Sequence, residues 1–307
     1  MPDRNKTHYS LRYVTKKIIE DRVSYAFVAP FMVLFLIFTV LPVAISIYFS
    51  FTYFNVLEAP LFVGFKNYIR LFFRDPIFII AVKNTLIFAI VTGPVSYMLS
   101  FMVAWFINEL TPKIRAFITL IFYAPSIAGN VYLIWNILFM GDSYGFVNGW
   151  LLRLGIIDTP ILFFKDVKYM MPLCVVVVLW LSLGVGFLAF IAGLQGIDRV
   201  YYEASSVDGV KNRWQELWYI TLPLMKNQLM FGAVMTITSS FSIGGVITGL
   251  VGNPSTEYAT HTIMHHLEDY GGTRFEMGYA SAIAVVLFII MLASNLIVKR
   301  IISKVGE

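Results

Sequence analysis

Residues Val23–Leu57 read VSYAFVAPFMVLFLIFTVLPVAISIYFSFTYFNVL, without one Asp, Glu, Lys or Arg. A helix that crosses a bilayer needs about 20 mostly apolar residues, and this run exceeds that. Working outward, five more uncharged stretches follow: Asn84–Asn108, Ala116–Gly141, Tyr169–Ile197, Asn227–Thr256 and Met277–Val298. Each is far longer than a barrel strand, and backbone in lipid must satisfy its own hydrogen bonds, so the spans are helices. The whole chain agrees. Of its 307 residues, 58% are hydrophobic and only 13% charged, with mean hydropathy +0.75. A soluble domain carries about twice that charged fraction and cannot hide so much apolar surface. A soluble enzyme, a secreted module and a disordered chain are excluded. The reading is an all-α integral membrane protein with six spans, at about 24–51, 84–108, 116–140, 170–194, 227–250 and 277–299.

Six crossings leave both termini on one side. With the termini inside, the inner segments carry fifteen Lys and Arg and the outer ones eight, which places both ends in the cytoplasm. Residues 1–22 are then a cytoplasmic segment, and 23–307 form the membrane domain. Lys66, Arg70, Arg74 and Lys83 crowd the first outer loop against this trend. The first run is too long for a signal peptide and no A-x-A site follows it, so it reads as an uncleaved anchor. The net charge of +5 is explained by basic residues beside membrane spans, and no nucleic-acid partner is expected. One cysteine, Cys174, excludes an internal disulfide.

Pro30, Pro42, Pro94 and Pro125 lie in the spans, as ordinary membrane-helix usage or as curvature around a pathway. The fifth span is richer in hydroxyls: Thr236-Ile237-Thr238-Ser239-Ser240-Phe241-Ser242, then Gly244, Gly245 and Gly249. Such residues suit close helix packing and also a polar pathway. Thr236 and Ser240 share one helical face. Ser182, in the fourth span, is near Trp180, whose ring offers a flat face for stacking.

Loop 198–224 is the longest one on the inner side. Asp198 is a good N-cap, and a short helix follows from about Arg199 to Val207. Gly209 suits the left-handed position that ends a helix. A second, amphipathic helix begins near Asn212, with Trp214, Leu217 and Trp218 at helical spacing. Ala204, Ser205 and Ser206 give the first helix a slim face that can enter a groove on another protein. An interfacial helix lying on lipid headgroups is the plainer alternative.

Glu203-Ala204-Ser205, three residues, Gly209, then Ile220-Thr221-Leu222-Pro223 resembles the EAA loop of the membrane subunits of ABC importers. Ser205 replaces an alanine, and the spacer from Gly209 to Ile220 is one residue longer than the family pattern. Asp208-Gly209 and the Ile-Thr-Leu-Pro-Leu string are similar to the carbohydrate-uptake branch. Phe62-Val63-Gly64-Phe65-Lys66-Asn67-Tyr68, then Phe72, Asp75-Pro76, Phe78 and Asn84-Thr85, resembles the stretch before span two in maltose- and glycerol-phosphate-type permeases. The resemblance implies a coupling helix between spans four and five that docks on a cytoplasmic ATPase, with Glu203, Ala204, Ser205, Asp208 and Gly209 at the contact. It implies a pore-forming subunit of an ATP-driven carbohydrate importer in the bacterial cytoplasmic membrane. Its partners would be a second permease, an ABC ATPase dimer and an extracytoplasmic solute-binding protein. The sugar would touch spans four and five, at Trp180, Ser182, Thr236, Ser239 and Ser240.

The chain has no GxxxxGK[ST] phosphate loop, so any ATP hydrolysis falls to another polypeptide. The spans carry no charged residue of the kind ion-coupled carriers place at membrane depth. No catalytic residue, cofactor or metal is expected. His261, His265 and His266 lack the HExxH pattern and read as a surface helix of the outer loop, as do Asp142, Asp158 and Asp166 as loop residues. An ion-independent carrier or channel, and a membrane enzyme acting on glycans, are the alternatives. Neither needs a docking loop.

Overall fold

A computed structural model describes residues 20–303. Most of the expected N-terminal segment 1–22 therefore lies outside the described residues. Four helices are individually long and apolar enough to cross a membrane, and the count reaches six if each of two bent pairs is one span.

Helix α1 (Arg22–Phe49) holds a π turn at Leu36–Val40, just ahead of Pro42. Proline cannot donate to the preceding turn and its ring crowds the carbonyl there, so the wider turn relieves both. The chain then forms a two-residue antiparallel pair, β1 (Thr52–Tyr53) with β2 (Leu61–Phe62), Thr52 opposite Phe62. Asn67, in the short helix α2 (Lys66–Phe73), clamps this corner by donating to the carbonyls of Ser50 and Thr52. Helix α3 (Pro76–Asn108) is the central post: Asp75 caps it by accepting from the Phe78 amide, and Pro76 fills the first helical position.

The third expected span is sharply bent. α4 (Pro112–Ile127) and α5 (Asn130–Leu138) meet at 82°. Pro125 weakens the last turn of α4, and Gly129 turns the corner at φ +58°, where a side chain would be strained. A connecting helix α6 (Phe146–Arg153) leads to α7 (Val167–Leu181) and α8 (Val185–Gln195), which together form the next span. Within loop 198–224, α9 (Arg199–Val207) and α10 (Arg213–Glu216) lead through a π turn at Leu217–Thr221. The fifth span is again two pieces, α11 (Lys226–Phe241) and α12 (Gly244–Val251), bent by 40° at Ser242-Ile243. α13 (Ile263–Glu268) and α14 (Met277–Ile302) complete the chain.

Three apolar clusters follow α3 along its length. Phe78 joins Leu71, Ile263, Tyr279 and Ile283 at its start. Phe88 joins Cys174, Val177 and Ile247 midway. Phe101 and Trp105 join Phe187, Phe190, Leu217 and Leu229 at its end. Almost all of α1 remains exposed, and only its last turns pack against α14.

Candidate functional site

Three places carry the chemistry: loop 198–224, a cavity in the bundle, and a polar network at the opposite end. The short helix α9 is capped at both ends. The Asp198 carboxylate accepts from the Val200 amide at 3.1 Å. Gly209 takes φ +95°, and the Val210 amide donates back to the Ser205 carbonyl at 3.0 Å, the bond of a Schellman-type cap. Ser205 faces inward and Tyr202 bonds Thr221 at 3.0 Å, which ties α9 to the π turn. Val200, Glu203, Ala204 and Val207 face outward, Val207 being 87% exposed. A π turn takes up one residue more than an α turn, the same excess that the spacer after Gly209 shows. In α10 the expected shared face of Trp214, Leu217 and Trp218 does not form. Leu217 is buried against the bundle, whereas both tryptophans are more than half exposed. The π turn breaks the 3.6-residue period on which that expectation rested.

Four of the five residues singled out for a substrate pathway meet in one cavity of about 490 Å³: Ser182, Thr236, Ser239 and Ser240. Ser96 of α3, Tyr123 and Ser126 of α4, and Ser242 at the bend of span five also line it. No charged side chain does. Trp180 is not part of this wall and packs edge-on against Trp135, ring centroids 5.7 Å apart. Ser96, Tyr123 and Ser126 are missed by the sequence reading, although Thr92, Ser96 and Ser100 recur every fourth residue on one buried face of α3, and Tyr123 and Ser126 lie one helical turn apart.

Five hydroxyls of this wall share one arrangement. Thr236 donates to the Gly232 carbonyl (2.8 Å), Ser239 to Met235 (2.9 Å) and Ser240 to Thr236 (2.8 Å). Ser182 donates to Leu179 (2.6 Å) and Ser126 to Tyr123 (2.8 Å). A hydroxyl has one proton and two lone pairs. With the proton held by the helix, each presents acceptors to the cavity. The wall suits a solute rich in O–H donors and offers little to an anion.

The network at the far end corrects the reading of the histidines as a surface helix. His261, His265 and His266 are 4% exposed or less. Asp75 is the hub. Its carboxylate accepts from Tyr279 Oη (2.8 Å) and lies 3.0 Å from His266 Nε2, while its other oxygen caps α3. Burial works to raise this carboxyl, but the hydrogen bonds from His266, Tyr279 and Phe78 outweigh it and hold the group well below the usual carboxylate range. His266 Nδ1 is 3.4 Å from His261 Nε2. His265 Nδ1 accepts from the Thr262 amide (3.0 Å), and its Nε2 reaches the Gly244 carbonyl (3.0 Å) at the start of α12. Burial, aided by the adjacent histidines, pushes His261 down to about 4, and burial pushes His265 to the same value. Asn84 and Thr85 add to the clamp: Asn84 donates to the Tyr258 and His261 carbonyls, and Thr85 accepts from the Ile263 amide. Of the loop acids, Asp142 accepts from the amides of Tyr144 and Gly145, and Asp166 caps α7. Among the described residues, no cluster of His, Cys, Asp or Glu is arranged to hold a metal ion.

Comparison with known proteins gives a consistent result, although no family model matches the chain. It is 31% identical over 284 residues to the "Probable ABC transporter permease protein YesP" of Bacillus subtilis, covering 90% of this chain and 89% of that protein. It is 30% identical over 276 residues to the arabinooligosaccharides transport system permease protein AraP of the same organism, covering 89% and 86%. A solved bacterial alginate ABC transporter, in complex with an alginate pentasaccharide-bound periplasmic protein, superposes with TM-score 0.73 at 27% identity, covering 95% of this chain and 99% of that one. The six uncharged stretches, the bent spans around one hydroxyl-lined cavity and these relatives give one conclusion: the chain belongs to the family of sugar-transport permeases, the membrane subunits of ABC transporters.

Proposed function

We propose that this chain is a pore-forming subunit of an ATP-driven importer for a neutral oligosaccharide, and that α9 is its coupling helix. The observation that carries the reading is the outward face of α9: Glu203, Ala204 and Val207 stand free while Ser205 and Tyr202 anchor the helix from behind. A doubly capped, slim helix is a rigid body that can seat in a groove of a separate ATPase. Both termini are on the cytoplasmic side with it, as the Lys and Arg distribution supports. The complex also holds a second permease, an ATPase dimer and an extracytoplasmic solute-binding protein, in keeping with the alginate transporter solved with its periplasmic protein.

Motion has a short path to the solute. From α9 the Tyr202–Thr221 bond leads into the π turn, and the chain continues directly into α11, whose Thr236, Ser239 and Ser240 face the cavity. Nucleotide binding favours one arrangement of the docked helices, and differential affinity for the two states shifts the bundle between inward-facing and outward-facing. The uncharged, acceptor-rich wall favours a neutral sugar over a uronate. The test is a cysteine at Ala204 in a Cys174→Ala background, with a co-expressed ABC ATPase. A disulfide or thiol crosslink whose yield changes with ATP is the expected result. A correctly inserted chain that crosslinks to no ATPase overturns the reading.

A further inference from the structure

A second polar cavity, of about 530 Å³, lies behind the docking helix where α3, α4, α8, α9 and α10 converge. Three arginines and two glutamates line it. Arg213 pairs with both acids, Glu109 at the end of α3 and Glu216 in its own helix. Arg115 donates only through Nη1, to the backbone and side-chain oxygens of Asn108 at 3.1 and 3.3 Å. Arg199 has no polar partner among the described residues. It also sits in the first turn of α9, where the helix dipole disfavours a cation. Two guanidinium groups thus face one cavity with most of their donors free, and the lining carries one net positive charge.

We propose that this cavity holds the phosphodiester group of a cytoplasmic-leaflet phospholipid, clasped by Arg115 and Arg199. Guanidinium donors match phosphate oxygens in fork geometry. One diester charge neutralises the cavity, whereas a doubly charged phosphate monoester overshoots it. The depth is also right. Trp105 and Trp214 pack at a tilt beside the cavity, ring centroids 5.2 Å apart, and Trp214, Trp218 and Tyr219 are 60–68% exposed. Exposed Trp and Tyr gather at the membrane–water boundary, the level of headgroups. A lipid held there bridges the start of α4 to the first turn of α9, so the bilayer sets how firmly the docking helix is held.

This inference takes from the proposed function only that loop 198–224 lies on the cytoplasmic side. The test is native mass spectrometry of the full chain purified in mild detergent, counting retained phospholipid. Arg115→Gln and Arg199→Gln are each expected to lower the lipid-bound fraction at least fivefold, and Lys113→Gln, a cation of the same α4 turn outside the cavity, to leave it unchanged. Excess glycerol 3-phosphate is expected to displace nothing. Equal lipid retention in wild type and both variants overturns the proposal. So does displacement by the soluble phosphate, which assigns the site to a small anion. So does loss of ATPase co-purification in Arg199→Gln with lipid retained, which assigns Arg199 to the ATPase contact. The Ala204 crosslink is read separately: lipid loss without any crosslink leaves the lipid site standing while the docking reading falls.

Discussion

Asp75→Ala removes one carboxylate and leaves three donors without their acceptor: the Phe78 amide, His266 Nε2 and Tyr279 Oη. All three residues are 2% exposed or less, so water cannot replace the lost partner. A buried donor left unsatisfied costs about 1–3 kcal/mol, and the lost cap alone about 1 kcal/mol. Relief of the burial cost of the carboxylate offsets part of this, leaving roughly 2–4 kcal/mol. For a chain of this size the melting temperature falls by roughly 5–10 °C. Asp75→Asn keeps the shape and one acceptor, and both Tyr279 and His266 can reverse their donor roles toward the amide, so it costs about 1 kcal/mol. The assay is thermal unfolding of the full chain in detergent micelles, with hydrogen exchange to locate the loss. Exchange is expected to rise in 256–273, which the network pins to α3, and to stay unchanged in α9. An alanine variant that melts within about 2 °C of wild type, or that matches the asparagine variant, refutes the reasoning.

Three further outcomes are expected. Stability falls as pH drops between 6.5 and about 4, because the unfolded chain takes up protons that the buried, neutral His261 and His265 refuse. His265→Gln flattens the pH dependence of the melting temperature. A Cβ at Gly209 meets no neighbouring atom, so Gly209→Val acts through the backbone, straining φ +95° by about 1–2 kcal/mol, and Gly209→Asn strains it less. ATP-driven transport falls in that order while membrane insertion, followed by the amount of folded protein, is unchanged. Gly232→Ala puts a methyl group on the buried Phe190 ring at the close approach of α8 and α11. Overpacking of this kind costs about 1–3 kcal/mol, and both the melting temperature and the sugar uptake rate are expected to drop.

What was legible in the sequence divides by range. Asp198 and Gly209 act on amides within a few residues, and the helix they imply, Arg199–Val207, is found with those bounds. Thr236, Ser239 and Ser240 fall at helical spacing and line the cavity, whereas Thr238 between them does not. The burial of the histidines is not legible because it depends on distant partners: Asp75 is 191 residues away from His266, and the Gly244 carbonyl reached by His265 lies on another helix. Trp180 looked available for stacking because Trp135, which occupies it, lies in another span. The 82° corner after Ile127 shows in Pro125 and Gly129 only once their backbone angles are known.

The self-contained hydroxyls of the cavity bear on how a transporter releases its cargo. Each of those protons already has a carbonyl acceptor in its own helix, whether or not a solute is present. At these positions an empty cavity strands no donor, and a departing sugar leaves behind only lone pairs that water accommodates easily. Transport requires a site that is attractive enough to enter and weak enough to leave. A wall of this kind keeps the energy difference between loaded and empty states small, so that the pore grips its cargo only loosely in either state.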